Sequence, residues 1–369
     1  MKRTGVAAAL AALWVAGAAS AQAAELKYNT FEPPRAVGSK EVAEFAKKLA
    51  AETKGGLTMQ IFAGGQLLNP FTSLKGIGDG VVDVGFIVPS LVQGQLKATN
   101  VIPDLLPYAD DNIVAAAASV QTALVDCEAC QDEYKALNVT WLGGHAPTPW
   151  NLLCGVEIKS LDDIGGKRVR VTGASATRMI RALGGVAVQL PPTEIAPALQ
   201  GHQIDCAFGP LPWLEDYALY NSVKSVVDYP FGVYSGLGIY TFNRAKFASL
   251  TADQKKTIKS LVSNYVIEGS VAWRGEETNA RKKATAAGIK FWKPDDKFKA
   301  RMAEFRKEEL PRIAEDMSKR GVADPMKLID LHLANIEKWR KKAAEVNEDP
   351  QKLVQALRAE VYDKSAAFK

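Results

Sequence analysis

Histidine is scarce in this sequence. His145, His202 and His332 are the only three in 369 residues, and none stands at HExxH-type spacing. That scarcity argues against a histidine-rich metal enzyme. No GxxxxGK[ST] phrase and no GxGxxG after a strand is present, so there is no nucleotide cradle to read. Gly173-Ala174-Ser175-Ala176-Thr177 lacks the second glycine of a nucleophile elbow. EF-hand loops and zinc-ligand spacings are missing too, and no pair of carboxylates stands out as catalytic. The expectation is a protein without catalytic machinery, metal or cofactor. An excess of one charge is also lacking: 46 basic residues face 41 acidic ones, which gives no footprint for nucleic acid. Beyond the first 23 residues no apolar run approaches the 18 or so of a membrane-spanning helix.

What is present starts with an export signal. Lys2 and Arg3 precede an apolar run from Val6 to Ala18, and Ala21-Gln22-Ala23 offers small residues for cleavage. Residues 1–23 therefore read as a secretory signal peptide, with the mature chain starting at Ala24 in the periplasm. Without Lys2 and Arg3 the mature chain keeps 44 basic and 41 acidic residues, a net charge of +3. Four cysteines enter an oxidising compartment. Cys127 and Cys130 form a CxxC between Asp126 and Glu128. Acidic neighbours raise a thiol pKa, whereas a reactive thiolate needs positive surroundings. A small structural disulfide is thus expected over redox chemistry. Cys154 and Cys206 either pair or remain buried thiols, and the sequence does not decide between these.

A length of 369 residues suits two domains or one large one, and 47% hydrophobic with 24% charged residues is ordinary for a globular chain. Leu26-Lys27-Tyr28 reads as a strand. Val42, Phe45, Ala46 and Leu49 follow at helical spacing, closed by Gly55-Gly56. Leu57–Phe62 alternates as a strand, Pro70 to about Gly80 reads as a helix, and Val81–Val88 as a buried strand. The order recurs later, with strands at Arg168–Val171, Val186–Leu190 and Ile204–Phe208. The intervening helices are Ser175–Leu183 and one capped by Thr193. Asp83-Val84-Gly85-Phe86 and Asp205-Cys206-Ala207-Phe208 echo each other. Strand–helix alternation with buried runs indicates parallel βαβ units, here in two similar α/β lobes. Thr251–Lys283 reads as one helix long enough to pack on both. Residues 295–317 and 325–369 are helical and charged, most simply a solvated face. Within them Leu328, Leu331, Ile336 and Trp339 offer a surface either to the chain itself or to a second copy in a homodimer.

Residues 158–210 carry a more specific signature. It runs from Ile158-Lys159-Ser160-Leu161-Asp162-Asp163-Ile164-Gly165-Gly166 into Lys167-Arg168-Val169-Arg170-Val171. Ala182-Leu183-Gly184-Gly185, Pro192-Thr193-Glu194-Ile195, Ala198-Leu199-Gln200-Gly201 and Asp205 follow in order. This resembles the solute receptors of TRAP (tripartite ATP-independent periplasmic) transporters, the dicarboxylate-receptor-like family, over nearly the whole mature chain. The resemblance implies a two-lobed periplasmic binding protein fold of the α/β class, with hinge strands, a long helix spanning both lobes and extra C-terminal helices. The expected division is lobe I at 24–147 with 237–275, lobe II at 148–236 with 276–324, and a C-terminal extension at 325–369. The implied function is a receptor that hands an organic acid to the membrane subunits of a TRAP permease. A periplasmic sensor of the same ligand, or a CxxC oxidoreductase, are the alternatives.

The resemblance also implies an arginine clamp for the ligand's carboxylate, and alignment of Gly166 and the valines puts it at Arg170. A guanidinium fork matches two carboxylate oxygens. Arg168, two residues away on the same strand, is expected in a surface salt bridge. Several family positions that are usually polar are apolar here. Trp150 stands near the expected second polar contact, Phe31 near the first strand, and Phe208 and Trp213 after Asp205. With Tyr234 these residues are expected to line a cleft for an aromatic or branched apolar monocarboxylate. Arg35 or Arg168 turned inward would instead accommodate a dicarboxylate.

Overall fold

The computed structural model describes residues 24–368, so the expected export signal lies outside the described residues. Among the described residues there are eleven strands: β1 (Ala24–Asn29), β2 (Leu57–Phe62), β3 (Val84–Ile87), β4 (Val139–Trp141), β5 (Asn151–Cys154), β6 (Arg168–Val171), β7 (Val186–Gln189), β8 (Cys206–Gly209), β9 (Ser225–Val227), β10 (Gly238–Asn243) and β11 (Lys290–Trp292). They form two sheets, ordered β2-β1-β3-β10-β4 and β11-β9-β5-β8-β6-β7. This is the two-lobed α/β architecture expected from the sequence.

The expected parallel pairings join β1 to β2 and β3, and β6 to β7 and β8. Each sheet also contains an antiparallel strand, which the βαβ reading had not anticipated. β10 runs against β3 and β4, and β5 runs against β8 and β9. The cause is the chain's path. After β4 it leaves the first sheet and enters the second as β5, and after β9 it returns and enters the first as β10. The two crossing segments pair with each other. Trp150 N–H donates to Gly232 O (2.9 Å), Phe231 N–H to Trp150 O (3.1 Å), and Tyr240 N–H to Gly143 O (3.0 Å). These are the hinge strands. Gly232 has φ of 136°, and a Cβ there would sit 2.0 Å from Leu106 O, so only glycine fits this crossing.

A helix over Ala252–Ala286 links the lobes. Thr251 caps it in a reciprocal capping box with Gln254, worth about 1 kcal/mol. Thirty-five residues at 1.5 Å each span about 52 Å. Near its start Gln254 donates to Gly56 O in the first lobe, and near its end Arg281 grips Asp228 in the second.

Boundaries shift where local chemistry differs from the expectation. The helix expected from Pro70 begins at Ser73, and the strand expected from Val81 begins at Val84, after the Gly80 turn. Thr193 does not cap a helix. It sits inside a 3₁₀ turn, Pro192–Glu194, that leads into the helix Ile195–Gln200.

Three helices, Asp296–Lys319, Pro325–Glu345 and Pro350–Leu357, complete the chain's C-terminal part. Ile336 and Trp339 are fully buried. Trp339 Nε1 donates to Gln121 Oε1 (2.8 Å), and His332 Nδ1 meets Thr122 Oγ1 (2.8 Å). Burial pushes the His332 imidazole down to about 3. These side chains thus pack on the helix Asn112–Gln121 of their own chain. Of the four apolar residues offered to a homodimer, Ile336 and Trp339 are therefore covered from within, while Leu328 and Leu331 stay partly buried. The helix they cover was not evident from the sequence, because its Ala115–Ala118 run is buried on every side and carries no periodicity.

Both disulfides are formed, Cys127–Cys130 and Cys154–Cys206. Cys127 and Cys130 are fully buried, and Cys127 Sγ caps the helix Glu128–Ala136 by accepting Cys130 N–H. Cys154 and Cys206 are register partners on β5 and β8. Among the described residues, no single helix is long and apolar enough to cross a membrane, and no metal-binding cluster of His, Cys, Asp and Glu occurs.

Candidate functional site

Where the hinge strands pass between the lobes they floor a narrow cavity of about 40 Å³. Phe31 and Phe86 wall it from the first lobe, with their rings stacked at 4.7 Å. Arg170 and Trp213 wall it from the second. Trp150 and Tyr234, one from each hinge segment, stack at 5.1 Å and 7° between planes. Trp273 of the long helix also lines it.

β6 delivers Arg170 to this place. Strand alternation turns Val169 and Val171 to the other face of the sheet, and Arg170 is fully buried at 0% exposure. Its Nε donates to Leu190 O (2.7 Å) and its Nη1 to Phe208 O (3.4 Å), while Nη2 is buried with no partner. The guanidinium carbon lies 5.2 Å from the Trp213 ring centroid, a cation–π contact. Burial pushes the guanidinium down to about 10, and the groups that oppose this are two phenols, Tyr217 and Tyr234. It therefore stays charged at neutral pH, without a carboxylate to neutralise it. A buried cation with an unused N–H is costly to hold, and a bound anion answers both needs.

Arg168 behaves otherwise. Its side chain is 44% exposed and forms a two-point ion pair with Asp205 (3.1 and 2.9 Å). Arg35 donates through Nε to the carbonyls of Asp216 (2.8 Å) and Glu215 (3.2 Å). Neither lines the cavity, so neither offers a second cation to a ligand there. Phe208 does not line it either. Its ring packs edge-on behind Trp150, and its carbonyl steadies Arg170. Phe31, Trp150, Trp213 and Tyr234 all reach the cavity.

Sequence reading missed several lining groups. Glu32, which precedes Pro33 and Pro34, is 6% exposed and lines the cavity. Thr172 and Tyr217 also line it. Their signal was position, two residues beyond Arg170 and four beyond Trp213.

The lobes meet around the cavity. Ser90 Oγ lies 3.3 Å from Thr172 Oγ1 and 2.5 Å from Tyr234 Oη. Arg320 Nη2 donates to Asp104 Oδ2 (2.9 Å), and Val37 N–H donates to Asp216 Oδ1 (3.2 Å). Asp216 is 1% exposed, and burial pushes its carboxyl up to about 7.

The site stands on a known scaffold. Residues 28–317 match the sequence profile of the bacterial extracellular solute-binding proteins, family 7. A TRAP solute binding protein from Rhodoferax ferrireducens, in complex with copurified benzoate, superposes with a TM-score of 0.75 at 21% identity, covering 86% of this chain and 99% of that one. A marine-metagenome TRAP solute binding protein specific for aromatic acid ligands, in complex with 3-hydroxybenzoate, superposes at 0.73 with 25% identity and the same coverage. The outer membrane transporter protein TsaT of Comamonas testosteroni is 23% identical over 325 residues, 87% of this chain and 94% of that one.

Proposed function

The chain belongs to the bacterial extracellular solute-binding proteins of family 7, and from that premise we propose that it is the receptor for a small aromatic or apolar monocarboxylate, which it passes to a TRAP permease. The resemblance to TRAP receptors read from the sequence is borne out, and with it the extracytoplasmic location. A shared scaffold does not choose a ligand, so the choice rests on the lining.

The observation that carries the proposal is Arg170, a buried cation with a free Nη2 and no acidic partner, set among aromatic rings. A single carboxylate fills the unmet hydrogen bond and neutralises the charge. The flat walls of Trp150, Tyr234, Trp213 and Phe31 suit a ring or a branched apolar body. A second carboxylate would find no second arginine or lysine in the lining and would face Glu32 instead, a costly burial. Sugar acids need hydroxyl partners that these rings do not provide. The proteins from R. ferrireducens and the marine metagenome, which hold benzoate and 3-hydroxybenzoate, support the same class of ligand.

Native mass spectrometry of protein recovered from the periplasm tests the reading. One aromatic or branched monocarboxylic acid per chain is expected, released on denaturation. A C4-dicarboxylate or a sugar acid in its place overturns it. Delivery is tested in proteoliposomes carrying the permease subunits, where uptake of the released acid should require this protein.

A further inference from the structure

The first-lobe wall of the cavity holds a polar group that an apolar monocarboxylate leaves unused. Glu32 follows β1 on the turn Thr30–Pro33. Its Oε2 is buried and has no hydrogen-bond partner, although the side chain lines the same cavity as Arg170. The turn is fixed by its backbone. Glu32 N–H donates to Thr30 Oγ1 (3.1 Å), and Glu32 O accepts from Ser39 Oγ (3.3 Å) and Gly64 N–H (2.8 Å). A Cβ at Gly38 would lie 2.3 Å from Oε2, so this glycine leaves the room in which the carboxyl sits. Burial, with the acidic Asp216 and Glu41 adding to it, raises the Glu32 pKa well above its ordinary value. A carboxyl that keeps its proton offers one donor and several acceptor sites.

This inference rests on the reading that Arg170 holds the carboxylate of an aromatic acid. We propose that Glu32 is a specificity-determining residue on the opposite wall, and that the ligand carries a ring hydroxyl that hydrogen-bonds to it. A hydroxyl both donates and accepts, as a protonated carboxyl does, and the pair leaves no buried group unmet. Unsubstituted rings leave the carboxyl without a partner from the ligand, and a second carboxylate meets the acid Glu32.

Calorimetry of benzoate, 3-hydroxybenzoate and 4-hydroxybenzoate tests it, on the wild type, Glu32→Gln and Glu32→Ala. The wild type should bind at least one hydroxybenzoate about five- to tenfold tighter than benzoate. Glu32→Ala should bring that ratio close to one. Glu32→Gln, whose amide also donates and accepts, should keep most of it and shows that loss in the alanine variant is not misfolding. If the wild type prefers benzoate to both isomers, or Glu32→Ala keeps the full preference, the assignment is overturned while the aromatic-acid reading stands. If none of the three acids binds the wild type, both fall.

Discussion

The two lobes build the same local structure and put different residues at its end. In the first lobe, Asp83 before β3 accepts the Lys27 N–H of β1 (2.8 Å). In the second, Asp205 before β8 accepts the Arg168 N–H of β6 (2.8 Å). The echo of Asp83–Phe86 in Asp205–Phe208 is therefore structural: each aspartate fixes the register of a parallel pair. Two residues further along each strand stands a buried polar side chain that reaches the loop after the neighbouring strand. Asn29 exchanges both amide hydrogen bonds with Leu68, through Nδ2 to Leu68 O (3.0 Å) and Oδ1 from Leu68 N–H (3.1 Å). Arg170 gives Nε to Leu190 O and still has Nη2 to spare. Asparagine at this position completes the scaffold. Arginine holds the scaffold with one nitrogen and faces the cavity with another.

Removing that difference should have the largest effect. Arg170→Ala, or Arg170→Asn to copy the first lobe, should weaken benzoate binding by about 2–5 kcal/mol, roughly thirty-fold or more. Arg170→Lys should recover part of it, since a point charge replaces a fork. Calorimetry gives the affinities and circular dichroism checks the fold. Unchanged affinity in Arg170→Ala would sink the clamp.

The next effect separates closed lobes from open ones. Asp216 bonds across the lobe boundary to Val37 N–H and is pushed up to about 7 by burial. Glu215 and Glu276 raise it further, and Lys40 opposes them. A raised carboxyl stabilises the closed form fully at pH below its ordinary value of about 4, and that contribution is lost as pH rises through 7. Affinity should fall about tenfold between pH 6 and pH 8. Glu32, raised in the same direction, adds to the trend. Asp216→Asn should flatten most of it. An affinity that rises with pH in the wild type contradicts this sign.

At the other end of β6, Arg168→Ala should change both affinity and stability little, because its ion pair with Asp205 is open to solvent. A thirty-fold loss of affinity would mean the two arginines had been assigned in reverse. Serine at both Cys127 and Cys130 should leave affinity unchanged, since that disulfide lies outside the cavity lining.

The lobes and the long helix were legible in periodicity and buried runs, whereas a ligand role for Arg170 was implied only by the resemblance of its strand phrase to the TRAP receptors. Side chains whose role comes from distant packing were hidden. Glu32 is polar and followed by two prolines, and only packing against segments distant in sequence turns it into a buried acid. Phe208 had the right composition for a wall, yet Trp150 stands in front of it. Ile336 and Trp339 gave an apolar stripe but not its partner, an alanine helix without periodicity. The antiparallel β5 and β10 followed from two crossings between lobes, which no local pattern marks.

The central claim is that the cavity takes one carboxylate and an apolar body. Parallel calorimetric titrations of the mature wild-type protein with benzoate and with succinate test it most directly. The account predicts one benzoate per chain and no measurable succinate binding at the same concentrations. Tighter binding of succinate than of benzoate would contradict it.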